Sequence, residues 1–470
     1  MTARRRFLIR TYGCQMNVHD SEKVANLLHH AGYGEAAELE AADLLVVNTC
    51  SIREKAENRL YSDLGVLRAW KAERPGRVLG VGGCVAQQEG DRVLRRFPHV
   101  DFVFGTHNLR WVPAMLEAAR EGQRSLRLTA NGSQDRFELP ERHPDYAGAT
   151  PGRAFLTIME GCDMFCSFCV VPHTRGREIS REPAAILAEA RSLVAGGVRE
   201  FTLLGQTVNA YGRHDLRRQG AGSASPWEPV SFAALLRELA AIPGLRRLRY
   251  TSPHPLFFDD ELVDAHRDLD ALCPHVHLPV QSGSDRVLAR MRRRHDAASY
   301  RSLVEHLRAA RPEIALTSDL IVGFPGESDA DFRETLALVE EAAFVDSFSF
   351  KYSPRPNTRA AGFEDTVPAE VAQARLEELQ DLQRDLTLRY HRSRVGERAE
   401  VLLEGESRRG GGQWAGRDPQ HRVVNLASSP PPGTQSGDFV SVELVEATPH
   451  SLIGEVASGA AGRPLAAQLG

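Results

Sequence analysis

The chain has 470 residues, 42% hydrophobic and 26% charged, with a formal net charge of −4. That length calls for more than one hydrophobic core, and three domains are expected. No apolar run approaches the roughly 20 residues of a membrane helix, no h-region follows the basic start at Met1–Arg10, and the near-neutral charge excludes a chain-wide nucleic-acid surface. The expectation is a cytoplasmic protein with no membrane contact, in which any RNA is met by local patches. Seven cysteines are too few for a disulfide scaffold, and an odd number points to metal or catalysis.

The first third reads as repeated strand–helix units. Phe7–Arg10 is a short strand ending at Thr-Tyr-Gly-Cys14. A helix follows over Asp20–Ala31, with Asp20 as its N-cap. Leu44–Asn48 is a buried-type strand ending at Thr-Cys50, followed by a helix from about Ile52 to Lys71. Val78–Val81 ends at Gly-Gly-Cys84, with a helix near Gln88–Arg96. Cys14, Cys50 and Cys84 thus each lie just past a strand, 36 and 34 residues apart, about the length of one βα unit. In an open parallel sheet such strand ends share one edge, where ligands bind. The competing reading is that they are buried structural cysteines.

Residues 129–152 are polar and broken by Pro and Gly, which marks a linker. Beyond it, strands are expected at Ala154–Met159, Glu200–Leu204, Arg247–Thr251, His275–Pro279, Ala315–Val322 and Ser347–Phe350. Amphipathic helices lie between them, at Pro183–Ala195, Phe232–Ala241, Asp285–Met291, Ser299–Ala310 and Asp329–Glu341. Six such units make a full or partial barrel with its site at the strand C-terminal ends. Arg213–Pro229 reads as a flexible insertion. A long helix, about Ala369–Arg392, leads to short strands at Arg398–Leu403, Arg422–Leu426, Phe439–Val445 and Ser451–Val456, a small antiparallel β-barrel. The tail from about Ser458 is expected to be disordered.

Cys162, Cys166 and Cys169 form C-x3-C-x2-C directly after the first core strand. Three thiolates are one short of a tetrahedral zinc site or of a fully capped four-iron cluster. His173 could complete a Cys3His zinc site, but Pro172 restricts that turn. The apolar flank (Met164, Phe165, Phe168, Val170, Val171) suits a shielded redox centre.

This cysteine spacing, with an aromatic before the last Cys at the mouth of a βα barrel, resembles the radical S-adenosylmethionine enzymes. Further stretches resemble one branch of them, the methylthiotransferases: Thr11-Tyr-Gly-Cys-Gln-Met-Asn17, Asn48-Thr-Cys-Ser-Ile-Arg-Glu-Lys-Ala56, Gly82-Gly-Cys-Val-Ala-Gln-Gln88, Ile158-Met-Glu-Gly-Cys162, Pro172-His-Thr-Arg-Gly-Arg-Glu178, Leu278-Pro-Val-Gln-Ser-Gly-Ser284 and Lys351-Tyr-Ser-Pro-Arg-Pro356. The resemblance runs over nearly all of residues 5–457. It implies an N-terminal open parallel α/β domain (5–122), a partial (βα) radical SAM barrel (148–382) and a TRAM-like β-barrel (392–458). It also implies two [4Fe-4S] clusters, a radical one on Cys162, Cys166 and Cys169 and an auxiliary, sulfur-carrying one on Cys14, Cys50 and Cys84. Two molecules of S-adenosylmethionine are implied, one methylating the sulfur and one generating a 5′-deoxyadenosyl radical. The implied reaction is methylthiolation of C2 of N6-(dimethylallyl)adenosine at position 37 of the tRNA anticodon loop. A reductant such as flavodoxin or ferredoxin and a sulfur donor would be partners. Alternatives are a threonylcarbamoyladenosine in tRNA, a ribosomal-protein aspartate, or a non-catalytic zinc protein that binds RNA. Beyond the cluster ligands, the sequence does not single out catalytic side chains.

By position and resemblance, Gln206, Asn209, Gln281, Gly323 and Gly326 are expected cofactor contacts, against a reading as ordinary turn residues; Ser282 belongs with them. Arg175 and Arg177 could pair with a carboxylate or phosphate. Cys273 is expected to be structural, and His254 and His277 hydrogen-bonded. Arg290, Arg292, Arg293 and Arg294 form a basic cluster, with Arg408, Arg409, Arg417 and Arg422 in the terminal barrel. That barrel is not basic overall: from Arg392 to Ser458 there are 7 Arg and no Lys against 9 acidic residues.

Overall fold

The structure is a computed structural model that describes residues 4–51, 54–129, 134–143, 146, 150–213, 227–407 and 412–457, with 54–56 as backbone only. Most of the expected insertion, the tail from Ser458, and Arg408 and Arg409 lie outside the described residues.

The N-terminal unit is a six-stranded sheet, all parallel: β1 (Arg6–Tyr12), β2 (Gly34–Glu35), β3 (Leu44–Thr49), β4 (Val78–Gly83), β5 (Phe102–Phe104) and β6 (Ser125–Arg127), in the order β2-β1-β3-β4-β5-β6. Helices pack on both faces, so β3 and β4 are buried at every residue. This is why they read as unbroken apolar runs rather than alternating ones. The sixth strand lies beyond the expected boundary at 122. The first helix is Gln15–His30, longer than expected, with Cys14 as its N-cap; Asp20 sits inside it.

The core is an arc of six parallel strands: β7 (Arg153–Thr157), β10 (Glu200–Leu204), β11 (Arg247–Tyr250), β12 (His275–His277), β13 (Ala315–Val322) and β14 (Asp346–Lys351). They form two triplets, β7-β10-β11 and β12-β13-β14. A bridge from Leu248 to Leu272 joins the triplets. Two short strands, β8 (Met159–Glu160) and β9 (Ile179–Ser180), pair antiparallel and pinch off the loop that carries the tight cysteine set. The helix Ala369–Ser393 leads to a closed five-stranded barrel: β15 (Arg398–Glu406), β16 (Trp414–Arg417), β17 (Val423–Leu426), β18 (Phe439–Ala447) and β19 (Leu452–Val456). Its pairings are antiparallel except β17 with β19, which is parallel.

The barrel is anchored to the core by one buried acid. Glu200, the first residue of β10, stands in register with Arg153 and Arg247 on its neighbours. It lies 3.2 Å from Arg153, 3.3 Å from Arg249 and 3.7 Å from Arg247. These arginines continue into the barrel: Arg249 donates to the carbonyls of Asp418 and Pro419, Arg247 to that of Arg417, and Arg153 pairs with Glu404. His421 stacks on His275 at 5.3 Å. Burial works to raise the Glu200 pKa, but Arg249, Arg153 and Arg247 outweigh it and hold the carboxyl below the ordinary glutamate range. Its contribution is therefore complete above the unfolded value of about 4.3 and lost as pH falls through the lower folded value. Glu200→Gln takes this acid from the buried Arg247 and Arg249 and from the partly buried Arg153 and should cost about 3–5 kcal/mol. Urea unfolding at pH 7 measures this, and an unchanged midpoint would contradict it.

Candidate metal centres

The spread cysteines are brought together as the sheet edge requires. Cys14 follows β1, Cys50 follows β3, and Cys84 opens the helix Cys84–Arg96 after β4. The Cys50 amide donates to the Tyr12 carbonyl at 2.9 Å. Gly13 stands so close that a Cβ there would lie 2.2 Å from that of Cys50. Cys14 and Cys50 share a hydrogen bond. With help from Arg175 and the amides of Asn17 and Met16, and against burial, this lowers the Cys14 thiol to about 6. Burial raises the Cys84 thiol, and Arg175 partly offsets that.

The tight set lies in the loop between β8 and β9. Gly161 takes φ +84°, and its amide donates to Gln206 Oε1. A Cβ at Gly161 would come 2.0 Å from the Arg177 carbonyl. Cys162 meets Thr207 Oγ1 at 3.0 Å, and Arg293 donates to Cys166 Sγ at 3.7 Å. Met164, Phe168, Val171 and Phe257 pack around the thiols. Phe257 and Arg293 come from distant segments, and no local spacing marks them as neighbours of the loop. Burial and the neighbouring Cys166 and Cys162 raise the Cys169 thiol to about 12. Without a metal these thiols favour the protonated form, so a metal centre held by them must displace their protons.

His173 is exposed. The donor chemistry fits a cluster: three thiols per set, glycines where a Cβ would collide, and buried polar atoms without partners beside them (Thr49 Oγ1, Ser51 Oγ, Gln206 Nε2).

The two sets meet across a buried seam. Arg175, six residues past Cys169, donates to Asp20 at 2.5 Å, and both are almost fully buried. Thr106 Oγ1 donates to the Thr174 carbonyl at 2.7 Å, and His107 Nε2 lies 2.9 Å from the Arg175 carbonyl. Glu160 pairs with Arg136 at 3.5 Å and Lys23 at 3.7 Å. Asp20 is thus not the expected helix cap but the partner of Arg175. Arg177 pairs with Asp163.

The expected cofactor contacts divide. Gln206 touches the cluster loop. Gln281, at φ +77°, closes the end of β12 against Leu320. Asn209 spends its amide on the backbone of His254, donating at 3.0 Å and accepting at 2.8 Å. A Cβ at Gly323 would meet Ala372 at 2.6 Å, and one at Gly326 would meet Asp365 at 2.5 Å, so protein neighbours account for both glycines. Ser282 lies 3.2 Å from Thr335. Cys273 is buried beside Arg249 and Glu200, apart from both sets. His254 Nδ1 accepts from Leu256, and His277 lies 3.0 Å from Thr317. Arg290 pairs with Asp365, Arg417 with Glu404 and Arg422 with Asp346. Arg292 and Arg294 are exposed, leaving the expected basic patches smaller than their arginine count suggests.

Three family models match the chain: Uncharacterized protein family UPF0004 over residues 6–105, the Radical SAM superfamily over 156–339, and the TRAM domain over 392–457. A tRNA-2-methylthio-N(6)-dimethylallyladenosine synthase of Geobacter metallireducens is 49% identical over 97% of this chain and 99% of its own length. A synthase of the same name from Acidithiobacillus ferrooxidans is 49% identical over 96% of each. The chain belongs to the tRNA-2-methylthio-N(6)-dimethylallyladenosine synthase family. The fold is also similar to TsrM, a radical S-adenosylmethionine methyltransferase from Kitasatospora setae, with a TM-score of 0.53 at 14% identity over 73% of this chain and 72% of that one. The three matched stretches fall, in order, within the N-terminal sheet unit, the six-stranded core and the terminal barrel unit.

If each set holds a four-iron cluster, the anaerobically reconstituted chain should hold about eight irons. Gly13→Ala and Gly161→Ala should each reduce this to about four, because the backbone is left-handed and the Cβ collides in both places. Gly32→Ala has φ +83° but open space around it and should keep the full complement. Iron per chain is the measurement, and full loading of the first two variants would contradict the role given to these glycines.

Proposed function

We propose that this chain converts the C2–H bond of N6-(dimethylallyl)adenosine at position 37 of tRNA into C2–SCH3. The observation that carries the reading is the pairing of a three-thiol loop at a radical SAM barrel with a second three-thiol set across one buried seam. When bound, the clusters and S-adenosylmethionine supply a hydrogen-abstracting radical, a methyl group and the inserted sulfur. The chain's own residues supply geometry. Cys162, Cys166 and Cys169 hold the first centre, and Met164, Phe168 and Phe257 keep water from it. Gln206 fixes the loop through Gly161, and its free amide N–H is available to the cofactor. Gln281, with the backbone around Asn209, Gly323 and Gly326, borders the same strand ends. Cys14, Cys50 and Cys84 hold the second centre.

The partners are the anticodon loop, whose unpaired base can be extruded into a pocket, a low-potential reductant such as flavodoxin or ferredoxin, and a sulfur donor. The setting is the cytoplasm. Among the described residues no helix is long and apolar enough to cross a membrane.

Cys166→Ala should abolish reductive cleavage of S-adenosylmethionine. Cys50→Ala should leave cleavage measurable while removing the methylthio nucleoside from tRNA digests. Sulfur insertion by Cys50→Ala, or retained cleavage by Cys166→Ala, would overturn the division of roles.

A further inference from the structure

The hollow of the core has one wall of side chains that the fold leaves uncovered. The arc does not close: β14 pairs only with β13, and β7 only with β10. Along β14 the side chains alternate between its two faces. Lys351 donates to Gln373 of the helix Ala369–Ser393 at 2.8 Å, so Phe348 and Phe350 stand on the opposite, inner face, 50% and 39% exposed. In register beside them on β13 are Asp319 and Ile321. Phe348 meets the ring of His277 edge-on at 5.9 Å. Ile321 packs against the same buried apolar cluster as Phe168, from the loop between Cys166 and Cys169. The aromatic wall therefore runs along the strands up to the tight cysteine set. At the other end the terminal barrel closes the hollow, with His421 on His275 and Arg422 paired with Asp346 at 3.0 Å.

Asp319 sets the charge of this space. His277 Nε2 lies 3.5 Å from its carboxylate, and His277 Nδ1 lies 3.0 Å from Thr317 Oγ1. Among the described residues no lysine or arginine pairs with Asp319. The arginines at the closed end are held by their own acids: Arg249 by Glu200, Arg417 by Glu404 and Arg422 by Asp346. The wall thus offers two exposed aromatic faces and one carboxylate, and the arginines beyond it are already paired.

We propose that this wall selects the N6 substituent of the target adenosine. Phe348 and Phe350 cover an apolar, uncharged group such as dimethylallyl, and Asp319 turns away one that carries a carboxylate, such as threonylcarbamoyl. The inference rests on the nucleotide substrate proposed above and deepens it by naming the residues that choose between two modified adenosines. Covering apolar carbon against the two rings favours the first group. Bringing a second negative charge beside Asp319 in a half-enclosed space disfavours the other.

The test measures binding without turnover by the reconstituted, unreduced full-length chain. Three anticodon stem-loops of one sequence carry dimethylallyl, threonylcarbamoyl or no group at N6 of the target adenosine, and fluorescence anisotropy gives each Kd. The dimethylallyl RNA should bind about tenfold tighter than the unmodified one. The threonylcarbamoyl RNA should bind about ten- to a hundredfold weaker than the dimethylallyl one. F348A combined with F350A should remove most of the first preference, and F348L combined with F350L should keep most of it. D319N should bring the threonylcarbamoyl RNA about tenfold closer to the dimethylallyl one. Unchanged ratios in the double alanine variant or in D319N overturn the proposal. Equal weakening of all three RNAs also overturns it, because the residues would then be structural only. A parent chain that prefers the threonylcarbamoyl RNA, or binds the three alike, overturns the substrate reading and this inference with it.

Discussion

The ion pair between Arg175 and Asp20 fixes the two cysteine sets relative to one another. Both residues are almost fully buried, and they belong to different domains. Asp20 lies in the helix that Cys14 caps, and Arg175 ends the short helix that follows the tight cysteine loop. Removing a buried charge from its partner costs about 3–5 kcal/mol, so the pair tolerates only arrangements in which the two loops stay together. Burial by itself would lower the basicity of Arg175, but Asp20, Cys84 and Glu160 outweigh it and hold the guanidinium fully charged. The same cation thereby lies in the field of the second thiol set. Joining the domains and biasing the charge at that set are one interaction.

Parallel topology makes this economical. Each domain is a parallel sheet that presents its strand ends along one edge, and the seam brings those edges together. The turns there are unusual because the chain must reverse into a helix while leaving room for a metal centre. Gly13, Gly83 and Gly161 have positive φ, and side-chain caps are missing at Cys14 and Gly83. Local regularity has been given up at the positions where ligands are held.

Much of this was legible in the sequence because it depends on spacing. Three cysteines separated by about one βα unit, each just past an apolar run, specify a shared sheet edge whatever the details. The short strands β5, β6 and β16 escaped because three or four residues carry no period. Asp20 reads as a helix cap from local chemistry, but its partner is 155 residues away, and no local rule reaches that far. The glycines of Gly323-Phe-Pro-Gly326 were legible as close-approach positions. Within the chain, Ala372 of the later helix approaches Gly323 and Asp365, just before that helix, approaches Gly326, and only tertiary packing reveals either. The arginines of the terminal barrel could be counted, but their pairing with Glu404 and Asp346 could not.

The barrel's attachment point constrains the substrate. Arg153, Glu200 and Arg247 stand at the N-terminal starts of their strands, so the barrel is anchored at the edge of the core opposite to the cysteine seam. A strand of five residues such as β10 spans about 17 Å. In the proposed reaction, a ligand that touches both the barrel and the seam must reach across at least that height. A free nucleoside cannot do this, whereas a stem carrying its unpaired loop base to the seam can. In the proposed reaction the Glu200 network therefore acts away from the chemistry: it sets how far the terminal barrel stands from the seam where the base reacts.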